Sequence, residues 1–133
     1  MQREPATVKS FSDLSGLPLA YMGDAVIELL ARRRTLQSGI TDPGKLNELS
    51  RAYVTAKVQS DAVERLLPVL SEEETDIFHR GRNAHGISAP KSASVGQYRR
   101  ATGMEALFGY LYLSDRQKRA EELFDIAYPK EEK

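Results

Sequence analysis

The chain has no cysteine, which excludes a disulfide framework and any thiolate metal site and is compatible with a reducing compartment. It also has no charge excess, with 19 Lys and Arg against 19 Asp and Glu. Nothing global therefore announces a polyanionic partner. Long apolar runs are missing too. None approaches the ~20 residues a membrane span needs, and the N-terminus lacks the basic-then-apolar pattern of a secretory signal. The expectation is a soluble, cytoplasmic protein with no membrane partner. A final absence concerns pattern: no segment sustains the two-residue alternation of a strand. What remains is 133 residues, 41% hydrophobic and 29% charged, enough for one domain with a modest core.

Punctuation residues divide the chain into helices. Pro18 suits a first helical turn and Gly39 a stop, which predicts a helix from about 18 to 38. Asp42-Pro43 reads as an N-cap followed by proline at the first helical position. The helical stretch it opens runs towards Leu67, with a break near Val54, and Pro68 ends it. Ser71 with Glu74 forms a capping box for a helix to about Asn83. Ser94 with Gln97, and Ser114 with Gln117, offer two more, for helices at about 95–113 and 115–128. The expected fold is all-α, a single helical domain over 17–128. Residues 1–16 form a partly frayed N-terminal segment and 129–133 a charged tail.

Two carboxylates stand in apolar surroundings. Asp24 lies within Tyr21-Met22-Gly23-Asp24-Ala25-Val26-Ile27, and Glu105 within Met104-Glu105-Ala106-Leu107-Phe108-Gly109-Tyr110. An unpaired charge on a core-facing edge costs several kcal/mol unless a cation, a hydrogen-bond network or protonation relieves it. Gly23, Gly103 and Gly109 lie close by, and glycine inside a helix suggests close approach by another group. Singly, each acid is better explained as the partner of an arginine, for instance from Arg32–Arg34. Two in matching contexts favour a shared divalent ion. Oxygen ligands without cysteine or a neighbouring histidine favour Mg²⁺, with Mn²⁺ as an alternative. Glu28 reads as a solvated partner of Arg32 one turn on.

The charge is segregated. From Ile77 to Met104 there are 28 residues without an acid, and they carry Arg80, Arg82, Lys91, Arg99 and Arg100. The rest of the neutral chain therefore holds an excess of five acids. A basic stretch that leads into Glu105 could deliver a polyanion to a carboxylate-held ion, since phosphate contacts dominate nucleic-acid affinity. Asn83 and nearby glycines and serines add donors for phosphate and 2′-hydroxyl groups. A solvated loop explains the same residues. His79 and His85 are six apart, a spacing with no recognised metal motif, and surface or RNA-facing roles suit them best. The tyrosines Tyr21, Tyr98, Tyr110 and Tyr112 fit core or interface positions better than base stacking.

Leu19-Ala20-Tyr21-Met22-Gly23-Asp24-Ala25-Val26 resembles the signature helix of the ribonuclease III family. Glu105-Ala106-Leu107-Phe108-Gly109-Tyr110 resembles its second acidic motif. The chain is still more similar to the Mini-III subfamily, through Arg80-Gly81-Arg82-Asn83-Ala84, Pro90-Lys91 and Tyr98-Arg99 ahead of Thr102 and Glu105. The resemblance covers about 17 to 128. It implies a Mg²⁺-dependent endoribonuclease cutting double-stranded RNA to 5′-phosphate ends, with Asp24 as catalytic aspartate and Glu105 as metal-binding glutamate. Arg80, Arg82, Asn83, Lys91, Arg99 and Arg100 would bind RNA. It further implies a symmetric homodimer with Tyr21 at the interface, and a role in maturing precursor 23S ribosomal RNA, where a ribosomal protein could shape the substrate. Leu17, Ala20 and Thr102 stand where the broader family has further acids, which leaves a thin inner metal shell. The competing reading is a non-catalytic ribonuclease III-like module for ribosomal RNA binding or assembly.

Overall fold

The computed structural model describes residues 11–85 and 94–130. A 3₁₀ turn at Phe11–Asp13 precedes helix α1, Gly16–Leu36. Then follow α2 (Pro43–Arg51), α3 (Ala56–Leu66), a second 3₁₀ turn (Leu67–Val69), α4 (Glu72–Arg82), α5 (Val95–Leu113) and α6 (Gln117–Ala127). The described residues contain no strand, and the expected all-α fold is what forms. None of these helices is long and apolar enough to cross a membrane.

Local chemistry sets most boundaries. The Asp42 side chain accepts from the Lys45 amide with Pro43 at the first helical position. Thr55 caps α3 after a break at residues 52–55, close to the break expected near Val54. Ser71 with Glu74 and Ser94 with Gln97 both form complete capping boxes. The third expected box is absent. Ser114 ends α5 and donates its hydroxyl to the Tyr110 carbonyl. Asp115 turns the chain with φ 61°, and α6 starts after Arg116 with no side-chain cap. A serine three residues before a glutamine serves a helix start only where the chain between them is helical. A left-handed residue at 115 removes that condition. Helix α1 also starts and stops two residues earlier than expected, at Gly16 and Leu36.

Helix α5 is the hub, packed on α1, α3, α4 and α6. Ile27, Val63, Leu66, Met104, Leu107, Phe108, Leu111 and Leu123 are all but inaccessible. Burying each such side chain contributes about 1.5–3 kcal/mol. Between Ala101 and Leu111 every residue of α5 is buried except Glu105. A helix buried all round belongs at the centre of a domain, and its one wetter position is therefore informative.

One polar staple joins a buried carboxylate to a part-exposed arginine. Glu74, only 4% exposed, caps its own helix through the Ser71 amide and receives Arg119 Nε at 2.8 Å from α6. The Arg119 hydrogen bonds outweigh burial and hold its carboxyl below the usual glutamate range. Glu74→Gln is expected to cost about 2 kcal/mol at neutral pH by leaving Arg119 half-paired. A depressed carboxylate stabilises above its ordinary value of 4.5 and loses that contribution as pH falls further. Wild-type and variant unfolding curves should therefore converge in acid.

Candidate active site

Helices α1 and α5 cross at unusually short range. A Cβ on Gly23 would lie 1.5 Å from the Glu105 carbonyl oxygen, and one on Gly109 would lie 2.0 Å from the Leu19 carbonyl oxygen. Leu19 thus faces Gly109 while Gly23 faces Glu105, so the helices run antiparallel. Only residues without side chains permit this approach. It brings the residue after Gly23 to the carboxylate of the opposite helix: Asp24 and Glu105 meet within hydrogen-bonding reach.

Their environments differ. Asp24 is exposed and Glu105 half-buried. Burial first, then the charge and hydrogen bond of Asp24, push the Glu105 carboxyl up to about 8. The arginines of the 32–34 cluster, the expected partners of these acids, are engaged elsewhere. Arg32 pairs with Glu28 at 2.8 Å, as expected, Arg33 with Glu121 at 3.3 Å and Arg34 with Asp125 at 2.6 Å. Among the described residues no ion pair involves Asp24 or Glu105. Two facing carboxylates, one desolvated and neither offset by a protein cation, form a site that a hard dication would stabilise. Donor chemistry fits Mg²⁺ or Mn²⁺: oxygen alone, with no sulfur in the pair. The described residues offer no third His, Cys, Asp or Glu to enclose an ion. Thr102 is buried and donates its hydroxyl to the Tyr98 carbonyl at 2.9 Å.

The basic residues gather in part. Arg80 and Arg82 sit in the last turn of α4, with Asn83 as its C-cap. Arg99, from the start of α5, donates to the Arg82 carbonyl at 3.2 Å and the Ala84 carbonyl at 3.4 Å, tying the end of α4 to α5. Arg80 donates to the Leu14 carbonyl, and Arg82 lies over the Phe78 ring. Arg100 turns away from this group and pairs with Glu64 of α3 at 2.5 Å. Lys91 lies outside the described residues. Tyr21 is 84% exposed on α1, three residues before Asp24.

Comparison with known proteins decides what this geometry belongs to. Residues 17–116 match the model of the Ribonuclease III domain. This chain is a member of the ribonuclease III family. Curated relatives named Mini-ribonuclease 3 place it in that branch. One from Symbiobacterium thermophilum is 43% identical over 114 residues, 86% of this chain and 88% of the relative. One from Brevibacillus brevis is 38% identical over 128 residues, 96% and 95% of the two chains. A crystal structure of a Fusobacterium nucleatum protein superposes with a TM-score of 0.76 at 36% identity, covering 86% of this chain and 91% of that one. As a ribonuclease III domain the chain is an endoribonuclease, and the Asp24–Glu105 pair is its candidate centre. Its two histidines, given only surface or RNA-facing roles from sequence, share one cleft here. Six residues of separation across a helix end carry no signal of that.

Proposed function

We propose that this Mini-III domain hydrolyses phosphodiester bonds of double-stranded RNA with Mg²⁺, Mn²⁺ serving as a substitute. The observation that carries the reading is the meeting of Asp24 and Glu105 with no protein cation between them. These two residues would hold the dication. When bound, such an ion supplies Lewis acidity at the scissile phosphate and acidifies water at neutral pH. The chain's own contribution is position: the Gly23–Gly109 crossing holds the carboxylates face to face, and a bound dication would supply the counter-charge that the buried Glu105 carboxylate lacks among protein groups.

Arg80, Arg82, Asn83 and Arg99, with Lys91 and Arg100 at the margins, would grip backbone phosphates and 2′-hydroxyls, reading shape more than base identity. Tyr21, Leu29 and Leu36 expose apolar surface along α1, which supports a symmetric homodimer with one site for each strand. The biological substrate we favour is precursor 23S ribosomal RNA in the cytoplasm, with a ribosomal protein able to shape it. The family resemblance supports that choice.

The test is cleavage of a labelled duplex RNA by the purified chain with Mg²⁺ or with EDTA. Cuts that require the metal and leave 5′-phosphate ends are expected. Tight, salt-sensitive RNA binding with no cleavage, on generic duplexes and on precursor ribosomal RNA alike, would establish the non-catalytic RNA-binding module instead.

A further inference from the structure

Both histidines of the chain line a cleft of about 530 Å³ between the end of α4 and the start of α1. One wall carries His79, Arg80, Asn83 and His85, and the other is formed by residues 15–17. Among the described residues no acid lines it, in a chain where acids and bases are equal in number. Imidazole, guanidinium and amide groups are together a set of hydrogen-bond donors suited to an oxyanion. His79 is half-buried and His85 exposed, which gives the cleft one deep donor and one at the rim.

The position of the cleft says whose oxyanion it would take. Leu17, on its wall, and Asp24 are seven residues apart on α1. Two turns of helix return to the same face after a rise of about 10 Å. Both residues are exposed, so the cleft and the carboxylate pair open along one edge of the domain. We propose that this cleft is a subsite for a backbone phosphate of the RNA strand flanking the scissile bond, with His79 and His85 as binding residues. The inference rests on the nuclease reading and adds a fixed second point of contact to it.

The experiment uses the full chain and duplexes carrying one neutral methylphosphonate linkage, walked through the positions on either side of the cut. Wild-type kcat/KM is expected to fall about tenfold at one flanking position, the effect of losing a charge-assisted contact. The double variant His79→Asn, His85→Asn is expected to lose about tenfold on the unmodified duplex and clearly less than a further tenfold at that same position, where Arg80 and Asn83 still line the cleft. His79→Ala, His85→Ala should behave alike. Lys118→Ala, exposed on α6, should match wild type throughout. A variant that merely misfolds lowers kcat/KM on every duplex by the same factor, so its losses multiply with the linkage effect. Multiplying losses, or no sensitive flanking position, would overturn the subsite while the nuclease reading stands. A wild-type chain that cuts no duplex would remove both.

Discussion

Asp24→Asn and Glu105→Gln are each expected to lower duplex RNA cleavage by about 10³-fold or more, while duplex binding changes little. An amide keeps the size of the side chain and removes the charge that would hold a dication. Glu105→Gln should at the same time make the protein more stable. The Glu105 carboxyl is lifted from 4.5 to about 8, by burial first and Asp24 second. A group whose folded value is raised contributes fully to stability below its unfolded value, and loses that contribution as pH rises through the folded one. The wild-type chain therefore weakens between pH 4.5 and about 8, by up to ~1.4 kcal/mol per pH unit. The glutamine variant, having no charge to bury, should exceed it by several kcal/mol at pH 8 in EDTA, and by nothing near pH 4. Asp24→Asn removes only the second cause and should give a smaller gain of the same sign. Denaturant melts at three pH values measure this without any substrate. Mg²⁺ should narrow the gap by stabilising the wild type alone. A glutamine variant no more stable at pH 8 than at pH 4 would show that Glu105 is not desolvated as described.

Gly23→Ala is expected to cost about 3 kcal/mol and to abolish cleavage even in the fraction that folds. The added methyl would have to occupy the space of the Glu105 carbonyl oxygen, 1.5 Å from its own centre. Backbone on one side and helix on the other leave nothing flexible to yield, so α1 must move off α5. That movement separates the two carboxylates. Gly96→Ala is the internal control. It lies in the first turn of the same α5, where a Cβ meets nothing within 4 Å, and alanine there should be neutral or stabilising by about 0.5–1 kcal/mol. Thermal unfolding and single-turnover cleavage read both variants. Equal behaviour of the two alanines would sink the close-crossing account.

Much of this is legible in the chain because local chemistry and tertiary packing agree. Asp42, Ser71 and Ser94 mark helix starts, and the structure uses each as a cap. Asp24 and Glu105 are visible as charges inside apolar runs, and the neighbouring glycines as signs of close approach. Sequence alone does not show that the close approach is between those very helices. Gly23 against Glu105 is a contact across 82 positions, fixed by the way α1 crosses α5. Ser114 misleads because a capping box is a local pattern and the turn at Asp115 is not written in it. Arg100 counts among the basic residues by position, yet one helical step from Arg99 turns it to α3 and Glu64. Adjacent residues on a helix point about 100° apart, and only the packing says which direction faces the site.

The two bonds from Arg99, to the carbonyl of Arg82 at the end of α4 and to that of Ala84 just beyond it, tie that corner to α5. Arg99 and Glu105 lie six residues apart on one unbroken helix, a span of about 9 Å that thermal motion scarcely alters. Whatever the basic corner grasps is thus held at a constant offset from the carboxylates. On the proposed reading the domain would carry a gauge: the place at which a strand is cut, counted from a phosphate held at that corner, would follow from the length of α5.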